Sequence, residues 1–423
     1  MRSRFGVVGA TGAALALTIG AIAPTASLAQ SGELTIDSWR NDDTLIWEDV
    51  LIPAFNEQYP DISVSFNGVA PADYNGIVQS ALDAGTAGDL ITCRPFDNSL
   101  GLFTAGHLAS LNDLEGMANF GDVAKSAWIT DDGSDAFCVP MASVIHGFIY
   151  NTDIFAELGL EVPTTEAEFY ALLDAVQADG TYAPLVMGTA DTWESATMGF
   201  QNIGPNRWLG EDGRNALIDG SGKLSDQAYV DTFAQLAAWA PYLVDNYQGV
   251  SYPDAQQLFS LGDGAIYPAG TWDIAFFQGQ GVPIGFFGPP VVNEGDTCYI
   301  SDHTDIALGL NAASPNAEAG RAFLDWVASD EFASLYSNAL PGFYSLSNNP
   351  VALENEVAQQ AVDLRQTCES TIRNSYQILS RGEPNLENEL WLKSAAVING
   401  TLTPEEAAAE LQAGLDSWYT PGA

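Results

Sequence analysis

Residues 266–277 read IYPAGTWDIAFF: a short apolar strand, a Pro-Ala-Gly turn, then Thr271, Trp272 and Asp273 at what reads as the opening of a helix. Thr and Asp are helix N-capping types, and Gly270 lets the chain turn sharply. In α/β proteins ligands sit at the carboxyl ends of strands, so Trp272 and Asp273 are candidate ligand residues. The alternative is a core indole above a capping carboxylate. The same logic covers SWRNDD (38–43), where Trp39, Arg40, Asn41 and Asp42 follow the alternating strand ELTIDSW (33–39). It also covers CRPFDNS, where Arg94 and Asp97 follow the strand DLITC. Arg94 is notable because only eight arginines follow the first thirty residues. A salt bridge to Asp97 is its structural alternative.

A flat indole flanked by short polar groups suits one solute class. A sugar presents hydroxyls at its edge and C–H groups on its face. Aromatics supply plates with large area and little rotamer entropy, while carboxylates, Asn and Arg satisfy hydroxyls, often two at a time. Other chemistries find less support. There is no GxSxG elbow and no HExxH motif. Cys93, Cys138, Cys298 and Cys368 form neither a CxxC pair nor a Cys/His cluster, so no metal site and no cofactor are expected. Two disulfides, one disulfide or four thiols all remain open.

The chain that must position these residues has 423 residues, 47% of them hydrophobic, which suggests two domains with large cores. Residues 1–29 read as a secretory signal: Arg2 and Arg4, then an apolar stretch, then ASLA (26–29), with cleavage near Ala29 and export to a periplasm expected. The formal net charge is −42 and the only lysines are Lys125, Lys223 and Lys393, which argues against nucleic acid and anionic lipid as partners. Such acidity suits a salty habitat, where ions screen self-repulsion.

The first hundred residues alternate strand and helix: ELTIDSW, a helix over 43–60 with Ile46, Val50 and Phe55 on its buried side, DISVSFNGV, a helix through YNGIVQSALDAG, and DLITC. This βαβαβ pattern predicts a parallel sheet with helices on its faces. A second run starts near residue 145 with VIHGFIYN. It continues with a helix opened by the Thr165/Glu168 capping box, buried through Phe169, Leu172, Leu173 and Val176, and ended at Gly180. Near the C-terminus, Thr403, Pro404 and Glu406 repeat that start signal.

Five stretches in one order resemble the sugar-binding family 1 of bacterial extracellular solute-binding proteins, relatives of maltose-binding protein. They are AGTAGDLITCRPFDNSLGLFTAGHLASL (84–111), FIYNTDIFAELGLEVPTTEAEFYALL (148–173), GAIYPAGTWDIAFF (264–277), LGLNAASPNAEAGRAFLDWVASDEFASLYSNALPG (308–342) and WLKSAAVINGTLTPEEAAAELQAGLD (391–416). The resemblance implies an α/β, two-lobed periplasmic binding protein fold. Each lobe would be a mainly parallel sheet flanked by helices, and strands would form the hinge. The implied lobes are 30–142 plus 303–341 and 143–302 plus 342–423. The implied function is capture of a mono- or oligosaccharide in the cleft and delivery to membrane-embedded ABC permease subunits, by a monomer that is not an enzyme.

Carried over residue by residue, the resemblance implies that Trp272 is a stacking plate, that Trp193 and Trp391 are further plates, and that Asp191 and Asp97 are acidic sugar ligands. His146 and His303 fall near the implied hinge crossings, together with Asp305. Phe343 and Tyr344, after LPG, could close the cleft. Two other classes compete: a secreted carbohydrate-active enzyme using a carboxylate pair, and a binder of an amino acid or polyamine, with Arg94 or Arg40 as the clamp in the first case. The sequence does not name the sugar.

Overall fold

The computed structural model describes residues 31–421, so the signal expected over 1–29 lies outside the described residues. Ten strands carry the fold: β1 (Gly32–Ser38), β2 (Ile62–Gly68), β3 (Leu90–Cys93), β4 (Val139–Asn151), β5 (Ala183–Leu185), β6 (Gly264–Gly270), β7 (Ile284–Phe287), β8 (Tyr299–Leu310), β9 (Tyr344–Ser345) and β10 (Glu369–Thr371). Their order is β2-β1-β3-β8-β4-β6-β5, with β7 and β9 on β4 and β10 on β8. The expected βαβαβ unit is present, since β1 runs parallel to both β2 and β3.

Two long strands join the two halves of this α/β fold. β4 and β8 span 13 and 12 residues. The first half of β4 pairs antiparallel with β8, from Val139↔Leu308 to Ile145↔Asp302, and its second half pairs with β6, from His146↔Gly270 to Tyr150↔Ile266. The far end of β8 pairs with β3. Each long strand therefore belongs to two α/β layers. β4 is buried along almost its whole length, as a strand covered on both faces must be. The result is two-lobed and mixed: each lobe has parallel strands, and antiparallel strands cross between them.

Local signals set the helices. In the helix Glu166–Asp179, Thr165 Oγ1 accepts from the Glu168 N–H at 3.3 Å and the Glu168 carboxylate accepts from the Thr165 N–H at 3.1 Å. Its buried residues are the four expected. The first helix corrects its expectation. A wide turn at Trp47–Leu51 interrupts the 3.6-residue period. The buried side therefore shifts to Trp47, Leu51, Ile52 and Phe55, while Ile46 and Val50 are half-buried.

The cysteines form Cys93–Cys138 and Cys298–Cys368, with Cα atoms 6.6 and 4.6 Å apart. The first ties the end of β3 to the entry of β4, and the second ties the start of β8 to the segment before β10. Closing loops of 45 and 70 residues is worth about 4 kcal/mol each by chain entropy.

Candidate ligand cleft

β6 delivers its chain end to the line where the lobes meet. There the indole of Trp272 folds back over Gly270, so closely that a Cβ on that glycine would meet the ring at 1.8 Å. Gly270 is required for space; its φ of −107° is ordinary. Gly342 is required for conformation as well, with φ +105° and a hypothetical Cβ 1.9 Å from the Thr271 carbonyl oxygen. Capping by Thr271 or Asp273 does not occur in the helix Ile274–Gly279. Thr271 Oγ1 instead donates to Gly342 O at 2.6 Å and accepts from the Ile145 N–H at 3.1 Å. Asp273 accepts from Tyr252 Oη at 2.5 Å and from Gln256 Nε2 at 3.0 Å. Burial pushes its carboxyl up to about 7, against the pull of these donors. The turn is thus fixed from three sides, and with it the angle of the Trp272 ring.

Facing that ring is a narrow cavity that opens to solvent. Trp272, Trp193 and Trp391 line it from one side, together with Thr197. Trp193 lies edge-on to Tyr252, ring centres 4.9 Å apart. Trp391 sits in the helix Leu386–Ile398, and its indole N–H is buried with no partner. From the turns after β1 and β3 come Trp39, Arg40 and Arg94, with Pro71 beside them, and from β8 comes Asp305. Arg373, in the segment after β10, completes the wall.

The charged groups differ in how they are held. Arg40 is buried and donates twice to Asp43, both at 2.7 Å. Burial opposes its charge, yet Asp43 holds its pKa well above the ordinary value. A further contact of 3.4 Å from Arg40 Nη2 to the Trp272 carbonyl oxygen links the two walls. The Arg94 guanidinium lies 4.5 Å over the Trp39 ring and donates to neutral acceptors, Asn75 Oδ1 at 2.9 Å and Pro71 O at 3.0 Å. Its alternative pairing with Asp97 does not form. Asp97 pairs instead with Arg381, which also bridges to Asp131. Asp305 makes no hydrogen bond and no ion pair; burial raises its pKa, against the pull of Arg373, Arg94 and Arg40.

The structure brings seven of the sixteen expected site residues to this cavity: Trp39, Arg40, Arg94, Trp193, Trp272, Asp305 and Trp391. Asp97 lines an adjoining pocket that shares Arg94, Asp305, Arg373 and Trp391. Asn41 is exposed and Asp42 half-buried in the turn behind Arg40. Asp191 is turned away, its Oδ2 accepting from the Tyr252 N–H at 2.9 Å. Asp273 is occupied as described. Phe343 is buried beneath Arg40, with the guanidinium 5.0 Å from its ring centre. Tyr344 is held in β9 and donates its hydroxyl to Ala358 O at 2.8 Å. Neither residue closes the cleft.

His146 and His303 do meet at the crossing strands, Nε2 to Nε2 at 3.0 Å, directly behind Trp272, whose ring stands edge-on to His146 at 5.3 Å. Each Nδ1 faces a carbonyl oxygen, of Thr197 at 2.9 Å and of Thr304 at 2.8 Å. Burial, then Arg373, drives both pKa values well down. The pair supports the plate from behind without reaching the cavity. Among the described residues no cluster of His, Cys, Asp or Glu could hold a metal ion. No described helix is long and apolar enough to cross a membrane.

Sequence reasoning missed Arg373, Thr197 and Pro71. The rarity of arginine, which flagged Arg94, was a signal that applied equally to Arg373.

Comparison with known proteins gives this geometry a context. Residues 40–333 match the family model of the bacterial extracellular solute-binding proteins. A multiple sugar-binding protein of Streptococcus mutans is 22% identical over 298 residues, which cover 67% of this chain and 66% of that relative's length. The solute receptor AcbH, described as preferring β-D-galactopyranose, superposes with a TM-score of 0.80 at 20% identity, covering 92% of this chain and 100% of the other. RafE in complex with raffinose gives 0.76 at 20% identity, covering 92% and 99%. The matched segment spans most of this chain, from the turn after β1 to the helix before β9, and the chain belongs to the bacterial extracellular solute-binding proteins.

Proposed function

We propose that the protein is the exported receptor of a carbohydrate ABC importer, binding a mono- or oligosaccharide between its lobes and presenting it to permease subunits. The observation that carries this reading is the cavity wall itself. Four indoles, from Trp39, Trp193, Trp272 and Trp391, stand around one space with Arg40, Arg94, Asp305 and Arg373 between them. Apolar plates alternating with multi-donor and multi-acceptor groups match the two faces of a pyranose. The lobes in this reading are 30–142 plus 303–341 and 143–302 plus 342–423, and β4 and β8 act as the hinge. Residues 1–29 act as the export signal, and the receptor works as a monomer in the periplasm by binding alone, without catalysis.

A thermal-shift screen of neutral mono- and oligosaccharides, including galactose, raffinose and stachyose, tests this. A binder is stabilised by what it binds, by about 2.7 kcal/mol at a hundredfold excess over Kd. At least one saccharide should raise the melting temperature and be recovered unchanged by chromatography. Cleavage of the saccharide, or stabilisation by amino acids or polyamines alone, would overturn the reading.

A further inference from the structure

The arginines of this protein are few and almost all spoken for. Among the described residues, Arg40, Arg207, Arg214, Arg321, Arg365, Arg373 and Arg381 each have a carboxylate within 4.0 Å. Arg94 has none, although the chain carries 55 acidic residues. It is not stranded on the surface. It is half-buried, stacked on Trp39, and its guanidinium is positioned by two neutral oxygens, with no carboxylate bonded to it. Burial lowers its pKa, against the pull of Asp305. Across the same cavity, Arg373 is 8% exposed; its Nη1 reaches Glu387 at 3.3 Å and its Nε is buried with no acceptor. Asp305 lines the same cavity and feels the charge of both arginines without bonding to either.

A buried guanidinium is costly unless paired. This chain has abundant carboxylates, yet among the described residues none bonds to Arg94 or to Arg373 Nε, and both arginines line the cavity between the indoles. We infer that the missing partner comes with the ligand: the cleft takes a saccharide that carries a carboxylate, a uronate unit, seated between Arg94 and Arg373 with its ring on the indoles. The inference rests on the saccharide reading above and narrows it. A carboxylate suits the planar fork of Arg, which binds it through two parallel N–H donors. With Asp305 already in the cavity, one carboxylate keeps the charge near balance against Arg94 and Arg373, whereas a phosphate dianion adds a second negative charge.

The test is calorimetric titration at pH 7 with matched pairs: galacturonate against galactose, glucuronate against glucose, and digalacturonate against raffinose and stachyose, with galactose 6-phosphate as the phosphate arm. The uronate of at least one pair should bind tenfold or more tightly than its neutral counterpart. Arg94→Gln should bring that ratio close to one, and Arg94→Lys, which keeps the charge, should retain part of it. The ratio within one variant is insensitive to modest loss of fold. Should Arg94→Gln fail to fold, the wild-type ratio must still shrink as sodium chloride is added. Neutral sugars binding as tightly as their uronates would overturn the inference and leave the saccharide reading intact. Preference for galactose 6-phosphate over galacturonate would overturn the carboxylate assignment. Binding of none of these compounds would remove both.

Discussion

Replacing Trp272 by alanine separates a plate from a core residue, because the ring is partly both. It is 6% exposed, so nearly all of the ~150–250 Å² that a tryptophan buries is covered, worth about 4–6 kcal/mol as an upper bound. Truncating a buried aromatic costs about 3–5 kcal/mol in a closed core, and part of the cover of Trp272 is lost if the lobes part, so the unliganded protein should lose less than that. A buried aromatic contact to a ligand costs roughly 2 kcal/mol or more when truncated, which is about a 30-fold loss of affinity. Trp272→Ala should therefore weaken saccharide binding at least 30-fold and lower apo stability by about 2–3 kcal/mol. Trp272→Phe should recover part of both. Trp239 is the control: it is fully buried and packs on Phe148 and Phe169, away from the cavity. Trp239→Phe should cost stability and leave affinity unchanged. Calorimetric titration beside apo melting curves reads both quantities. Unaltered affinity in folded Trp272→Ala would refute the plate.

Two other outcomes follow from charge. The net charge of −42 should make the melting temperature rise as sodium chloride is added from low ionic strength, since screening relieves self-repulsion; a flat or falling curve in thermal scans would count against this. Asp273 holds its proton up to about pH 7 in the fold, against an ordinary value of 3.8. The native state thus keeps a proton that the unfolded chain has already lost, and the contribution of this group to stability falls as pH rises from about 4 to about 7. Asp273→Asn keeps the oxygen that accepts from Tyr252 and Gln256 and removes the titration. Its melting temperature relative to wild type should climb across that window, and a constant difference would sink the argument.

Where the sequence could be read, the cause was local. The capping boxes at Thr165 and Thr403 involve residues three apart, and both form as expected. Strand ends are also local features, which is why Trp39, Arg94 and Trp272 could be placed at the mouth of the sheet. What holds other residues is not local. Asp191 is claimed by an N–H 61 residues away, and Asp97 by Arg381, 284 residues away. Neither partner is marked by any periodicity. Arg373 reaches the cavity because β10 pairs with β8 beside the Cys298–Cys368 bridge, a placement that no local pattern encodes. Thr271 and Asp273 looked like caps because their types are right; the crossing strand β4, Gly342 and Tyr252 compete for the same oxygens and win.

Hydrogen–deuterium exchange, with and without the saccharide that stabilises the protein most, reads whether one solute engages both lobes. Exchange should slow in segments from both lobes at once: those carrying Trp39 and Arg94 on one side, and Trp193 to Thr197, Trp272, and Arg373 to Trp391 on the other. Exchange should also slow at the crossing of β4 and β8, because lobe closure loads the hinge. Protection confined to one lobe, or absent at saturating saccharide, would contradict capture between the lobes.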